Sequence, residues 1–179
     1  MPRAATTFPI GTTIVTCTAI DAAGNSATGK FNVTVRDVTT PGEMIGDGFI
    51  RNDDVRYDFN FHVQERMSDG ERGSFQLRVQ GNPRDSSRRQ ERDDRFVARA
   101  VTFVAFSDDP KVDTVVFFGQ GEWNGTAGYS FRVFAMDLGE PGRHRDTIEI
   151  TIWDPAGNVV VGVAGKLDGG NVQSKRIKH

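Results

Sequence analysis

The residues best suited to chemistry are carboxylates. Asp108, Asp109 and Asp113 fall together between two apolar segments, and Asp137 and Glu140 fall in a second polar segment. Hard oxygen ligands on loops at one end of a β-structure suit Ca2+. These five residues are therefore the candidate metal set, with Ca2+ as the candidate cofactor and stabiliser. The competing reading has Asp108 and Asp109 capping a turn in solvent. Their spacing fits neither an EF-hand nor a repeat-type calcium loop. A metal held there could activate water against an ester or lactone, which defines a hydrolase alternative. Zinc, the stronger activator, prefers His and Cys, and the chain has only three His and one Cys.

No residue is assigned a catalytic role. The chain has no G-x-S-x-G nucleophile elbow, no P-loop, no dinucleotide fingerprint and no H-E-x-x-H. Ser130 follows Gly128 and Tyr129 but sits inside an alternating segment, which is a structural position. His62 and His144 would be the general-base candidates of a hydrolase, if either lay near the acid loops. A lone His on a wet face is ordinarily just solvated. Trp123 and Trp153 flank turn sequences and could stack on a sugar ring, giving a carbohydrate-binding alternative; the competing role is to anchor the core edge. Phe118-Gly-Gln-Gly121 reads as a strand end or bulge where glycine lets backbones approach.

Composition narrows the classes further. The chain has 179 residues, 37% of them hydrophobic, with 20 Gly and 13 Phe. That is enough apolar material for one medium domain, or a domain with a fragment of another. The formal charge is −2, so no basic field draws nucleic acid or an anionic membrane. The longest apolar stretch, Val159 to Ala164, is too short to span a bilayer as a helix, and no membrane insertion is expected. Met1 to Thr7 lacks the apolar segment of a signal peptide.

The elements that must position these residues are all strands. Thr12 to Ile20 and Thr28 to Arg36 alternate apolar and polar residues around the turn Asp21-Ala-Ala-Gly-Asn25. Asp37 to Glu43 reads as a linker. Eight further strands are expected. The clearest is Val55, Tyr57, Phe59, Phe61 and Val63 against Arg56, Asp58, Asn60, His62 and Gln64; it should pair antiparallel with Ser74 to Gln80. Phe96 to Phe106 and Thr114 to Gly121 are more apolar and central. Tyr129 to Ala135, Ile148 to Ile152, Val159 to Val163 and Asn171 to Ile177 complete the series. No segment keeps a 3.6-residue period. The fold class is all-β, an antiparallel sandwich or flattened barrel behind an Ig-like hairpin fragment. Between Gly81 and Arg95 lie five Arg and four acids, a mixed-sign segment that reads as a solvated, mobile loop. Asp154-Pro-Ala-Gly-Asn158 echoes the first turn and reads as reuse of one good hairpin connection.

Two stretches carry resemblances. Phe8-Pro-Ile-Gly-Thr-Thr-Ile-Val-Thr-Cys-Thr-Ala-Ile-Asp-Ala-Ala-Gly-Asn, continuing to Asp37, resembles the second half of a hyalin repeat, an Ig-like module of extracellular proteins. A whole module of that kind takes about 100 residues, so the chain is expected to begin mid-domain. The resemblance implies one fate for Cys17, loss of a disulfide partner in the missing half; by residue type alone the alternative is a small buried hydrophobe. The second stretch comprises Phe118-Gly-Gln-Gly-Glu-Trp-Asn-Gly125, Asp137-Leu-Gly-Glu-Pro-Gly142, Asp146 to Val160 and Gly165 to Gln173. It is similar to a bacterial C-terminal β-domain that follows such modules in secreted and surface proteins.

The resulting division is a truncated repeat over 1–38, a linker over 39–45 and a β-domain over 46–179. The resemblances imply a secreted or cell-surface location and a non-catalytic structural, adhesive or ligand-binding part. A homodimer through the strands of residues 10–36, or a polysaccharide or other surface partner, is the expected interaction.

Overall fold

The computed structural model describes residues 11–35, 42–65, 71–81, 93–107 and 112–176. The chain divides into two compact units, Met1–Thr39 and Thr40–His179. Every regular element among the described residues is a strand, and no helix there is long and apolar enough to cross a membrane.

The first unit is a two-stranded antiparallel hairpin of β1 (Gly11–Ile20) and β2 (Ser26–Val35). Direct pairing of Val15 with Phe31 and of Cys17 with Gly29 puts the apolar residues on one face. Phe31 is half exposed and Cys17 is exposed, free of any disulfide. The Ig-like hairpin expected from the sequence is thus present.

The second unit is one nine-stranded antiparallel sheet in the order β10-β9-β8-β7-β6-β5-β4-β3-β11. Its strands are β3 (Gly42–Asn52), β4 (Val55–Glu65), β5 (Arg72–Gln80), β6 (Asp94–Phe106) and β7 (Asp113–Trp123). They continue as β8 (Thr126–Asp137), β9 (Thr147–Trp153), β10 (Val159–Lys166) and β11 (Gly169–Arg176). Alternation in the sequence predicts eight of these nine. The exception is β3: the expected linker overlaps its start, which pairs with β4 from Gly42 opposite Glu65 to Asn52 opposite Val55.

The sheet is strongly curled. In a flat sheet β5 and β8 would stand about 14 Å apart, three strand spacings. Instead, the Phe75 and Phe131 ring centroids are 5.1 Å apart, and Phe61 of β4 meets Phe117 of β7 at 5.1 Å. The alternating residues of each strand converge on this interior: Phe75, Phe96, Phe117 and Phe131 are each at most 1% exposed. Two irregularities in β6, at Ala98/Ala100 and Val101/Phe103, bend the strand around the core. Gly119 makes that bend possible, because a Cβ there would lie 1.9 Å from the Ala100 carbonyl oxygen.

Carboxylates fasten the curl. Asp146 is fully buried between β8 and β9. Its Oδ1 accepts from Leu138 N at 2.9 Å and its Oδ2 from Val172 N at 2.8 Å. Asp137 Oδ2 accepts from Ser174 N at 2.9 Å. Val172 and Ser174 lie two apart on edge strand β11, so the two acids occupy alternate outward N–H groups that the sheet leaves open.

Candidate functional site

The outer face of β3 to β6 forms an open cleft of about 880 Å³. Its floor follows from strand register. Because Gly46, Gly48 and Ile50 of β3 face the core partners Phe61, Phe59 and Tyr57, the intervening Asp47 and Phe49 must face outward. The same alternation turns Asp58 and Asn60 of β4 outward, and Gln76 and Arg78 of β5. Two cross-strand rows result. One runs Phe49, Asp58, Arg78, Arg95; the other runs Asp47, Asn60, Gln76, Val97.

In the first row the charges are paired with neighbours. Arg56 Nε donates to Asp58 Oδ1 at 2.9 Å, and Gln80 Nε2 donates to Asp58 Oδ2 at 3.0 Å. Arg78 Nε donates to Asp93 Oδ2 at 2.7 Å. The Arg56 guanidinium also lies 3.6 Å from the Phe49 ring centroid, a cation–π contact covering that ring. Hydrogen bonding to Asp58 raises the Arg56 pKa further, so its charge is fixed at every accessible pH.

The second row is different. Among the described residues, Asp47 and Asn60 make no side-chain hydrogen bond or ion pair, though they stand directly opposite one another. Gln76, which lines the cleft, accepts at Oε1 from Arg95 Nη2 at 2.9 Å, while its amide N–H groups have no acceptor among the described residues. A carboxylate, an amide and a half-used amide thus lie side by side on three paired strands. Such groups bind by hydrogen bonding.

The residues singled out from the sequence lie elsewhere. Asp108 and Asp109 are outside the described residues, as is most of the mixed-charge loop. Asp113 begins β7, opposite Asp137 in register. Asp137 Oδ1 accepts from Gly139 N at 3.0 Å and its other oxygen from Ser174 N, while Glu140 Oε1 accepts from Asn171 Nδ2 at 2.8 Å. Among the described residues no group of three or more His, Cys, Asp or Glu is arranged to hold a metal ion.

Trp123 packs against the core and stacks on Tyr129 at 6.3 Å, so its ring already has a partner. Trp153 is half-buried at the end of β9, opposite Ser130 and Val159. His62 Nε2 is 2.8 Å from Glu43 Oε1, across β3 and β4. His144 Nε2 accepts from Arg143 Nε at 3.1 Å.

Nothing in the sequence marks Asp146, Asp47, Asn60 or Gln76 as site residues. The only trace of the cleft row there is the run of polar residues at alternate positions of β4 and β5, which reads as an ordinary wet face.

Comparison with known proteins bears on the first unit. Residues 2–35 match the HYR domain. HYR domains occur in extracellular and cell-surface proteins, and the match covers the β1–β2 hairpin. No curated protein and no solved structure matches the chain.

Proposed function

We propose that this chain is a non-catalytic, ligand-binding part of a secreted or cell-surface bacterial adhesin. In it an HYR segment precedes a C-terminal β-domain of the kind found after such modules. The observation that carries this reading is the outer-face cleft with its row of Asp47 and Asn60, which make no side-chain hydrogen bond among the described residues, and the partly used Gln76. Paired strands fix the spacing of the three backbone positions, so a ligand docks without rearranging the sheet and only the side-chain rotamers have to be ordered. The HYR match supports an extracellular setting, where recognition of surface material is the common task.

The test is retention of the full chain, coated on inert beads, by intact bacterial cells and by their isolated envelope material. Beads carrying wild-type chain should be retained and those carrying the Asp47→Ala/Asn60→Ala double variant should wash off. Equal retention of the two would contradict the cleft as the binding surface.

A further inference from the structure

We propose that the cleft recognises a neutral saccharide chain through the Asp47, Asn60 and Gln76 row, an inference that rests on the ligand-binding reading above. Adjacent strands stand about 4.8 Å apart, so the three side chains offer contacts across roughly 10 Å. Their chemistry is complementary to hydroxyl groups. The Asp47 carboxylate only accepts, the Asn60 amide both donates and accepts, and the Gln76 amide offers its N–H donors beside an oxygen already shared with Arg95. A hydroxyl is both donor and acceptor, so successive hydroxyls of a sugar can satisfy all three in turn. A phosphate, sulfate or carboxylate could not, because it brings no hydrogen to Asp47.

Electrostatics point the same way. The lining holds three Arg (Arg56, Arg78, Arg95) and three Asp (Asp47, Asp58, Asp93). Arg56 is neutralised by Asp58 and Arg78 by Asp93. Among the described residues the Arg95 side chain bonds the neutral Gln76 and no acid, so its charge balances that of Asp47, which likewise makes no ion pair. Among the described residues the lining is therefore neutral overall, with Asp47 in the row itself repelling an anion and no cluster of unpaired cations beside it. The Phe49 ring is covered by Arg56, so it serves as an end wall, and recognition runs through hydrogen bonds and not through ring stacking.

The test is calorimetric titration of the full chain with neutral cello-, manno-, galacto- and gluco-oligosaccharides, beside acidic galacturonate oligosaccharides and an unrelated hydrophilic peptide. At least one neutral series should bind. Asp47→Ala and Asn60→Ala should each weaken it about tenfold or more, the loss of a charge-assisted or buried hydrogen bond. Asp47→Asn, matched in shape, should weaken it with an unchanged melting midpoint, which separates recognition from folding. Glu149→Ala on β9, which removes only the ion pair with Arg132, should bind like wild type.

Binding of acidic oligosaccharides or peptide alone, binding unaffected at Asp47 and Asn60, or no neutral series bound would each overturn the saccharide assignment. Bead retention on cells tells the two readings apart. If it persists while the sugars fail, only the saccharide assignment falls. If it fails as well, the ligand-binding reading falls with it.

Discussion

Asp146 Oδ2 accepts a hydrogen bond from Val172 N at 2.8 Å, joining the start of β9 to edge strand β11. The same carboxyl takes the Leu138 N–H, so one fully buried acid satisfies two backbone donors from different parts of the sheet. Removing it leaves the buried Val172 N–H and the part-buried Leu138 N–H unpaired; a buried donor without a partner costs about 1–3 kcal/mol, the part-buried one less. Asp146→Ala should therefore destabilise the second unit by about 3 kcal/mol. Asp137→Ala, whose oxygens are half-buried, should cost about 1 kcal/mol. Both tryptophans lie in the second unit, so denaturant unfolding followed by tryptophan fluorescence reads these values directly. Equal, negligible effects would show that the curl holds without these fastenings.

The same acid should give the protein an unusual pH response. Burial is the largest influence on Asp146 and raises its pKa above the ordinary carboxylate value; the bonds from Leu138 and Val172 oppose the rise, and the charges of Asp137 and Glu140 add to it. Between the unfolded and the raised folded pKa, the native state holds more protons than the unfolded state. Stability from this group is thus complete below the unfolded pKa and is lost as pH rises through the folded pKa. The stability difference between wild type and Asp146→Asn, measured by urea unfolding from acid to neutral pH, should shift against wild type as pH rises. A shift in wild type's favour would mean that the backbone hydrogen bonds outweigh burial.

Two turns nearly repeat one another in detail. Asp21 Oδ1 accepts from Ala23 N and Asn25 N, each at 2.9 Å, and Asp154 Oδ1 accepts from Ala156 N and Asn158 N, each at 2.9 Å. These bonds, with the Asn25 and Asn158 side-chain amides as the leading contributors, lower both aspartate pKa values. Gly24 and Gly157 both take φ 87, a conformation that costs other residues about 1 kcal/mol. Gly157→Ala should accordingly lower the tryptophan-reported unfolding midpoint, while Gly24→Ala, in the other unit, should leave it unchanged. Equal lowering by both would show that the two units unfold together.

Calcium is expected to have little effect through Asp137 and Glu140, because both Asp137 oxygens and Glu140 Oε1 already receive protein N–H groups. The melting midpoint should stay constant between millimolar Ca2+ and excess chelator. A ligand at 100 times its dissociation constant would add about 2.7 kcal/mol, readily visible as a shift. A shift abolished by Asp108→Ala/Asp109→Ala would instead establish a cation site at the start of β7.

Much of this fold is readable from alternation alone. β4 is unmistakable, because Phe59, Phe61 and Val63 are buried while Asn60 and His62 are exposed. β3 is hidden because it lends its inner face to neighbouring rings. A Cβ at Gly46 would lie 2.2 Å from the Phe61 ring, and one at Gly42 would lie 2.9 Å from Phe106. The apolar pattern of β3 is thus partly written in β4 and β6. The cleft is hidden for a related reason. In any single strand its residues are polar positions facing water, and only the register of three strands brings Asp47, Asn60 and Gln76 into line. Asp146 is legible as the start of a strand, but its partner Val172 lies 26 residues away on the opposite edge.

The central claim is that ligand recognition occurs on the outer face of β3 to β5. The most direct measurement is a two-dimensional NMR titration of the full chain with solubilised envelope glycan, following the side-chain amide signals of Asn60 and Gln76. These two signals should move together and saturate, with backbone shifts confined to their neighbours, and both responses should vanish in Asp47→Ala. Shifts centred on Trp123 or Trp153, or on the β1–β2 hairpin, with Asn60 and Gln76 unmoved, would contradict the account.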